Sequence, residues 1–138
     1  MLRQTQPGGP PPTLLLGVGA DPHQAARARA EGADLIDVRG ATPGALAAIR
    51  ASLPTGVLWT GTGADLGTGA DPLDADRLAR EPEDRATVAA VIATAAVCAW
   101  LGAPMVRSRH TRAVRRAIDM TASIAGRRPP SRTVRGLA

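Results

Sequence analysis

Short apolar runs, each closed by a glycine or a polar residue, alternate with stretches of helix length along this 138-residue chain. A strand covered on both sides reads as such a run, and a strand that returns after each helix lies parallel to the one before it. Leu14-Leu15-Leu16-Gly17-Val18, Leu35-Ile36-Asp37-Val38, Gly56-Val57-Leu58-Trp59 and Met105-Val106-Arg107 are the predicted strands. The order predicts an α/β fold of about four βα units with parallel strands and right-handed crossovers.

The helices between them have legible ends. Asp21-Pro22 caps a helix over His23 to Glu31 that Gly32 stops. After the turn Gly40-Ala41-Thr42-Pro43-Gly44, a helix over Ala45 to Ser52 places Leu46, Ile49 and Leu53 on one face. Residues 60–76 read as a Gly/Asp/Thr-rich loop, long enough to be functional or mobile. Helices over Asp84 to Leu101 and Thr111 to Ala125 follow. The proline-rich start, residues 1–13, reads as a flexible leader without a signal-peptide pattern, residues 14–125 as one domain, and 126–138 as a basic disordered tail. A cytoplasmic protein is the expectation.

Phe and Tyr are absent, so the core has to be built from Ala, Val, Leu and Ile, with Trp59 and Trp100 the only large rings. A chain of this length supports one modest core and cannot complete an eightfold barrel. All 17 basic residues are arginine; neither lysine nor asparagine occurs. The charge is uneven, with 8 Arg against 11 acids in residues 1–106 and 9 Arg against Asp119 alone in 107–138. Such an end can meet any anionic partner, and charge alone does not choose among them. Cys98, the single cysteine, excludes a disulfide framework and reads as a buried thiol.

Three segments, in order, carry a resemblance to a known family. Glu31-Gly32-Ala33-Asp34-Leu35-Ile36-Asp37-Val38-Arg39-Gly40, with Thr42-Pro43-Gly44 after it, resembles the second strand and following loop of the dihydropteroate synthases. Gly56-Val57-Leu58-Trp59-Thr60-Gly61-Thr62 with Leu66-Gly67 resembles the seventh strand, although its setting also fits the third. Glu83-Asp84-Arg85 through Met120, including Gly102-Ala103-Pro104-Met105-Val106-Arg107, resembles the seventh helix, eighth strand and eighth helix. The family joins a pterin pyrophosphate to para-aminobenzoate, in folate biosynthesis, on the C-terminal rim of a barrel. The resemblance therefore implies a partial TIM-barrel-like fragment.

Carried over position by position, the resemblance implies an anion or substrate site. Arg107 stands where the family has the arginine that holds the leaving pyrophosphate; Arg109 replaces its histidine, and His110 follows in a place usually held by aspartate. Two guanidiniums beside a helix N-terminus suit an anion, by permanent charge and free backbone donors. A solvated arginine face explains the same residues. Asp37 matches the second-strand aspartate, and a carboxylate tying the strand end to nearby amides is the favoured reading for it. Thr42 matches the loop that shapes the aminobenzoate side.

The rest of the family chemistry is missing. No asparagine is present for the loop after the first strand, and no lysine for the pterin contact after the seventh, where Gly63-Ala64-Asp65 stands instead. The expectation is a pterin- or anion-binding domain that is catalytically deficient by itself. The alternative is an active synthase whose site is completed across an oligomer, the only case in which magnesium is expected; otherwise no cofactor is.

Other motifs fail. Gly61-Thr62-Gly63 follows a strand but opens no helix, and Asp71, Asp74 and Asp76 lack the glutamate of a calcium loop and read as solvated acids. Residues 86–106 carry no charge and are long enough to cross a bilayer, yet they are mostly Ala and Thr with Gly102 and Pro104 near one end, which disfavours a membrane partner. A lack of interleaved rings disfavours nucleic acid. Open strand edges favour a homo-oligomer or a complex with another barrel protein, and the expected ligand is a phosphorylated or pterin-like small molecule.

Overall fold

The structure, a computed structural model, describes residues 12–61, 71–80 and 87–128. Strands β1 (Leu14–Val18), β2 (Leu35–Asp37), β3 (Leu58–Trp59), β4 (Leu73–Asp74) and β5 (Met105–Ser108) form one sheet. Its order is β3-β2-β1-β5-β4, and each recorded pairing is parallel. The last strand thus lies beside the first, as in a barrel that closes on itself.

The helices are α1 (Pro22–Ala30), α2 (Pro43–Ser52), the single turn α3 (Ala75–Leu78), α4 (Val88–Trp100) and α5 (Thr111–Ile124). Their starts follow sequence chemistry: Asp21, Thr42, Asp74 and Thr87 each accept a hydrogen bond from a first-turn amide, and Pro22 and Pro43 sit where no amide is needed.

Register decides which face the helices cover. Leu15 pairs with Val106, Gly17 with Ser108 and Ile36, and Ile36 with Leu58, so these residues share one face. On that face Leu15 and Val106 pack with Val91, Ala95, Val114 and Ile118 of α4 and α5, while Ile36 packs with Ala25, Ala28 and Ile49 of α1 and α2. The other face carries Leu16, Leu35, Trp59 and Met105 as a separate buried cluster. Both described helix-packed clusters lie on a single face, the arrangement of a barrel arc; a doubly wound sheet covers both. This confirms the partial TIM-barrel-like α/β fragment.

Close packing on the helix side requires glycine. A Cβ on Gly19 would come within 2.5 Å of the Ile36 side chain and 2.9 Å of the Ala25 backbone. Alanines at Ala25 and Ala28 set α1 equally close, so a core without phenylalanine is tight rather than empty.

Several expectations are corrected. The sheet has a fifth strand: residues 73–74, expected as loop, pair with Val106 and Arg107, and Ala75–Leu78 form α3. A strand with only Leu73 as an apolar residue has no run for a sequence pattern to register. β3, for which the resemblance left both the seventh and the third position open, sits beside β2 where a third belongs, and β4 holds the place next to the final strand. Among the described residues, no helix is long and apolar enough to cross a membrane. The run of residues 86–106 is instead divided between α4 and β5 by Leu101–Pro104, with Gly102 at φ +85°. Residues 1–11, 62–70, 81–86 and 129–138 lie outside the described residues, and with them most of the expected leader, Gly63-Ala64-Asp65, the start of the penultimate helix and most of the expected tail. Arg127 and Arg128 at the head of that tail are seated: Arg127 donates to Ala99 O and Trp100 O, and Arg128 pairs with Asp119.

Candidate functional site

The register that puts Ile36 on the helix side turns Asp37 to the opposite face, and Asp74 pairs with Arg107 on that same face. Arg107 leans across β1 from β5. Its Nε donates to Asp37 Oδ2 at 2.8 Å and its Nη1 to Asp74 Oδ2 at 2.9 Å. Arg39 grips Asp37 from the other side, with Nε 3.0 Å from Oδ1, Nη2 2.9 Å from Oδ2, and its backbone N–H 3.1 Å from Oδ1. The Arg39 guanidinium also lies 4.2 Å from the centroid of the Trp59 ring.

Two guanidiniums and two carboxylates cancel each other here. Asp37 is 4% exposed, and burial pushes its carboxyl up, but hydrogen bonds from Arg39 and Arg107 outweigh that and hold it below the ordinary carboxylate value. The Arg39 guanidinium is held further above its usual value by Asp37. In this cluster Arg107 Nε and Nη1 are committed to Asp37 and Asp74.

Arg109 belongs to other surroundings. The turn after β5 is tied down by Asp76 of α3, which accepts from the Ser108 hydroxyl at 2.6 Å and from the Arg109 N–H at 2.9 Å, while the His110 N–H donates to Ser108 Oγ at 3.0 Å. This turn sends the Arg109 side chain to an open cleft of about 490 Å³ between α1 and α5, lined also by Val18, Gln24, Arg27, Glu31 and Thr111. A continuation of about 600 Å³ adds His110 and Arg112. His110 occupies the N-cap position of α5 without a side-chain cap bond. The side chains of Arg109 and Arg112 and the hydroxyl of Thr111 have no partner among the described residues, whereas Arg27 pairs with Glu31 at 3.0 Å. A capless helix start and two unpaired guanidiniums therefore face one open cleft, with Thr111 itself buried against Gly17.

Of the residues expected to act together, the structure joins Arg107 with Asp37, sets Arg109 and His110 on the neighbouring cleft, and leaves Thr42 as the N-cap of α2, accepting from Ala45 N at 3.2 Å. The sequence reading missed Arg39, Asp74, Asp76 and Trp59. Asp74 and Asp76, read as solvated acids, each accept from groups about 33 and 32 residues away, a pairing only the sheet order creates. Arg39 was within reach, since it follows Asp37 by two residues. Trp59 Nε1, buried on the same face, has no hydrogen-bond partner among the described residues. Among the described residues no group of three or more metal-ligating side chains gathers.

Comparison with known proteins matches part of the chain. Proteins named inactive dihydropteroate synthase 2 from Mycobacterium tuberculosis and Mycobacterium bovis are 53% identical over 47 residues, 34% of this chain and 15% of theirs. The protein of the same name from Mycobacterium leprae is 51% identical over 47 residues, 16% of its length. No family model matches, and no solved structure does. Over about a third of its length, the chain is similar to these proteins, and it spans only about 15% of theirs.

Proposed function

We propose that the chain is a dihydropteroate synthase-like binding domain of the cytoplasm that does not catalyse the synthase reaction by itself, and that takes an anionic ligand of the pterin pyrophosphate type at the α1/α5 cleft. The observation that carries this reading is the state of Arg107. The guanidinium at the position implied for the leaving pyrophosphate is paired through Nε with Asp37 and through Nη1 with Asp74, so its charge is already balanced by two carboxylates before an anion arrives. Lysine and asparagine, the other groups the resemblance requires, are absent from the whole chain. The name of the matched relatives, inactive dihydropteroate synthase 2, supports the deficiency.

What is free for an anion lies one turn further on. Arg109 and Arg112 flank the start of α5, whose first amides point out of the helix end beside Thr111. Binding there needs no cofactor. An active synthase completed across an oligomer would need Arg107 released, and the pairs it makes weigh against that reading.

Calorimetric titration with inorganic pyrophosphate and with a dihydropterin pyrophosphate tests binding, and product formation with para-aminobenzoate tests catalysis. Binding that weakens with added salt and drops at least about tenfold in Arg109→Ala is expected, since a charge-assisted contact contributes about 1.5–3 kcal/mol. No product is expected. Turnover that Arg107→Ala abolishes would overturn the proposal.

A further inference from the structure

A carboxylate on the single turn α3 reaches across to the end of β5 and fixes the segment that carries the free arginine. Asp76 Oδ1 accepts from the Ser108 hydroxyl at 2.6 Å and Oδ2 from the Arg109 N–H at 2.9 Å, and the same hydroxyl oxygen accepts from the His110 N–H at 3.0 Å. One acid thus holds three consecutive residues, directly or through Ser108, which is fully buried. The acid is itself anchored. Ala75 before it and Ala79 after it are buried in one cluster with Val91 and Ala95 of α4, and Asp74 caps the turn by accepting from the Arg77 N–H at 3.0 Å. Asp76 is not among the described residues that line the cleft between α1 and α5.

We infer that Asp76 is the positioning residue of this cleft: by holding the turn, it presents the Arg109 guanidinium to a pyrophosphate-type anion and raises the affinity for it. The inference rests on the reading of the cleft as an anion site. Charge alone predicts the reverse, because a carboxylate near an anion site repels the ligand, so that removing it tightens binding. Positioning has the opposite sign. The Arg109 side chain makes no bond of its own among the described residues, so its direction into the cleft is set by the backbone it stands on. A turn freed from Asp76 has to be ordered when the anion arrives, and conformational entropy already lost on folding is then lost on binding instead. The amides of Arg109 and His110 are spent on Asp76 and Ser108, which leaves the Arg109 side chain and the first amides of α5 as what the turn offers a ligand.

Calorimetric titration of the full chain with inorganic pyrophosphate separates the two signs. Asp76→Ala is expected to bind about five- to tenfold more weakly than the parent, and by the same factor as salt is raised, because Arg109 and Arg112 keep their charge. The loss caused by Arg109→Ala, by contrast, shrinks with salt. Asp76→Asn keeps an acceptor for the Arg109 N–H without the charge and is expected to restore at least the parent's affinity. Urea unfolding checks that each variant is folded. Where Asp76→Ala does not fold, Ser108→Ala, which leaves Asp76 in place and removes the tie to the His110 N–H, is expected to weaken binding in its stead. A parent chain that binds no pyrophosphate overturns the reading of the cleft and this inference with it. A parent that binds, with Asp76→Ala binding equally or more tightly, leaves that reading standing and overturns the role of Asp76. So does an Asp76→Asn variant as weak as Asp76→Ala.

Discussion

Arg107 and Arg109 stand two residues apart at the end of one strand and live in opposite conditions. Arg107, on the sheet face, is held by carboxylates from β2 and β4, while Arg109, beyond the strand end, turns to open solvent with no partner among the described residues. The difference teaches that an arginine-rich segment does not state how much of its charge is available. Availability depends on which acids the topology delivers to each position.

The largest expected effect breaks the first half of that contrast. Arg107→Ala leaves Asp74 without its guanidinium and buried Asp37 with Arg39 alone, so a loss of about 3 kcal/mol of stability is expected in urea unfolding. Arg109→Ala is expected within about 0.5 kcal/mol of the parent, as for an exposed side chain without contacts. If both variants unfold alike, the contrast is empty.

Acid titration sharpens it. The folded Asp37 carboxyl titrates below its ordinary 3.8, so it binds its proton less readily than in the unfolded chain. Its contribution is present above that ordinary value and is lost as pH falls through the lowered one. Asp37→Asn is expected to flatten the fall of stability below about pH 4, measured by unfolding at a series of pH values. An unchanged acid limb would mean that the Arg39 and Arg107 bonds do not hold in solution.

The smallest effect concerns Thr42. As an N-cap it is worth about 1 kcal/mol, so Thr42→Ala should lower stability by that amount and leave pyrophosphate binding unchanged. Altered binding with intact stability would return Thr42 to the site.

Much of the architecture was legible because it is written locally. Asp21-Pro22 and Thr42-Pro43 announce helix starts through chemistry confined to a few residues, and the runs at Leu14–Val18 and Met105–Ser108 announce strands through apolar content. β4 was not legible, because two residues, one of them Asp74, carry no periodic signal. The placing of β3 beside β2 was open for a related reason: a pattern specifies that a segment is a strand, not which neighbour it pairs with.

By itself the sequence determined the α/β alternation, the small-residue core and the absence of lysine and asparagine, since composition and short-range periodicity need no knowledge of neighbours. It also put Asp37 and Arg107 at strand ends. Only the tertiary structure decided that these two are partners, 70 residues apart, with Asp74 completing the set and Arg109 excluded from it. The physical reason is that strand order and pleat direction, which bring distant carboxylates within 3 Å of a guanidinium, arise from long-range packing and leave no trace in the spacing along the chain.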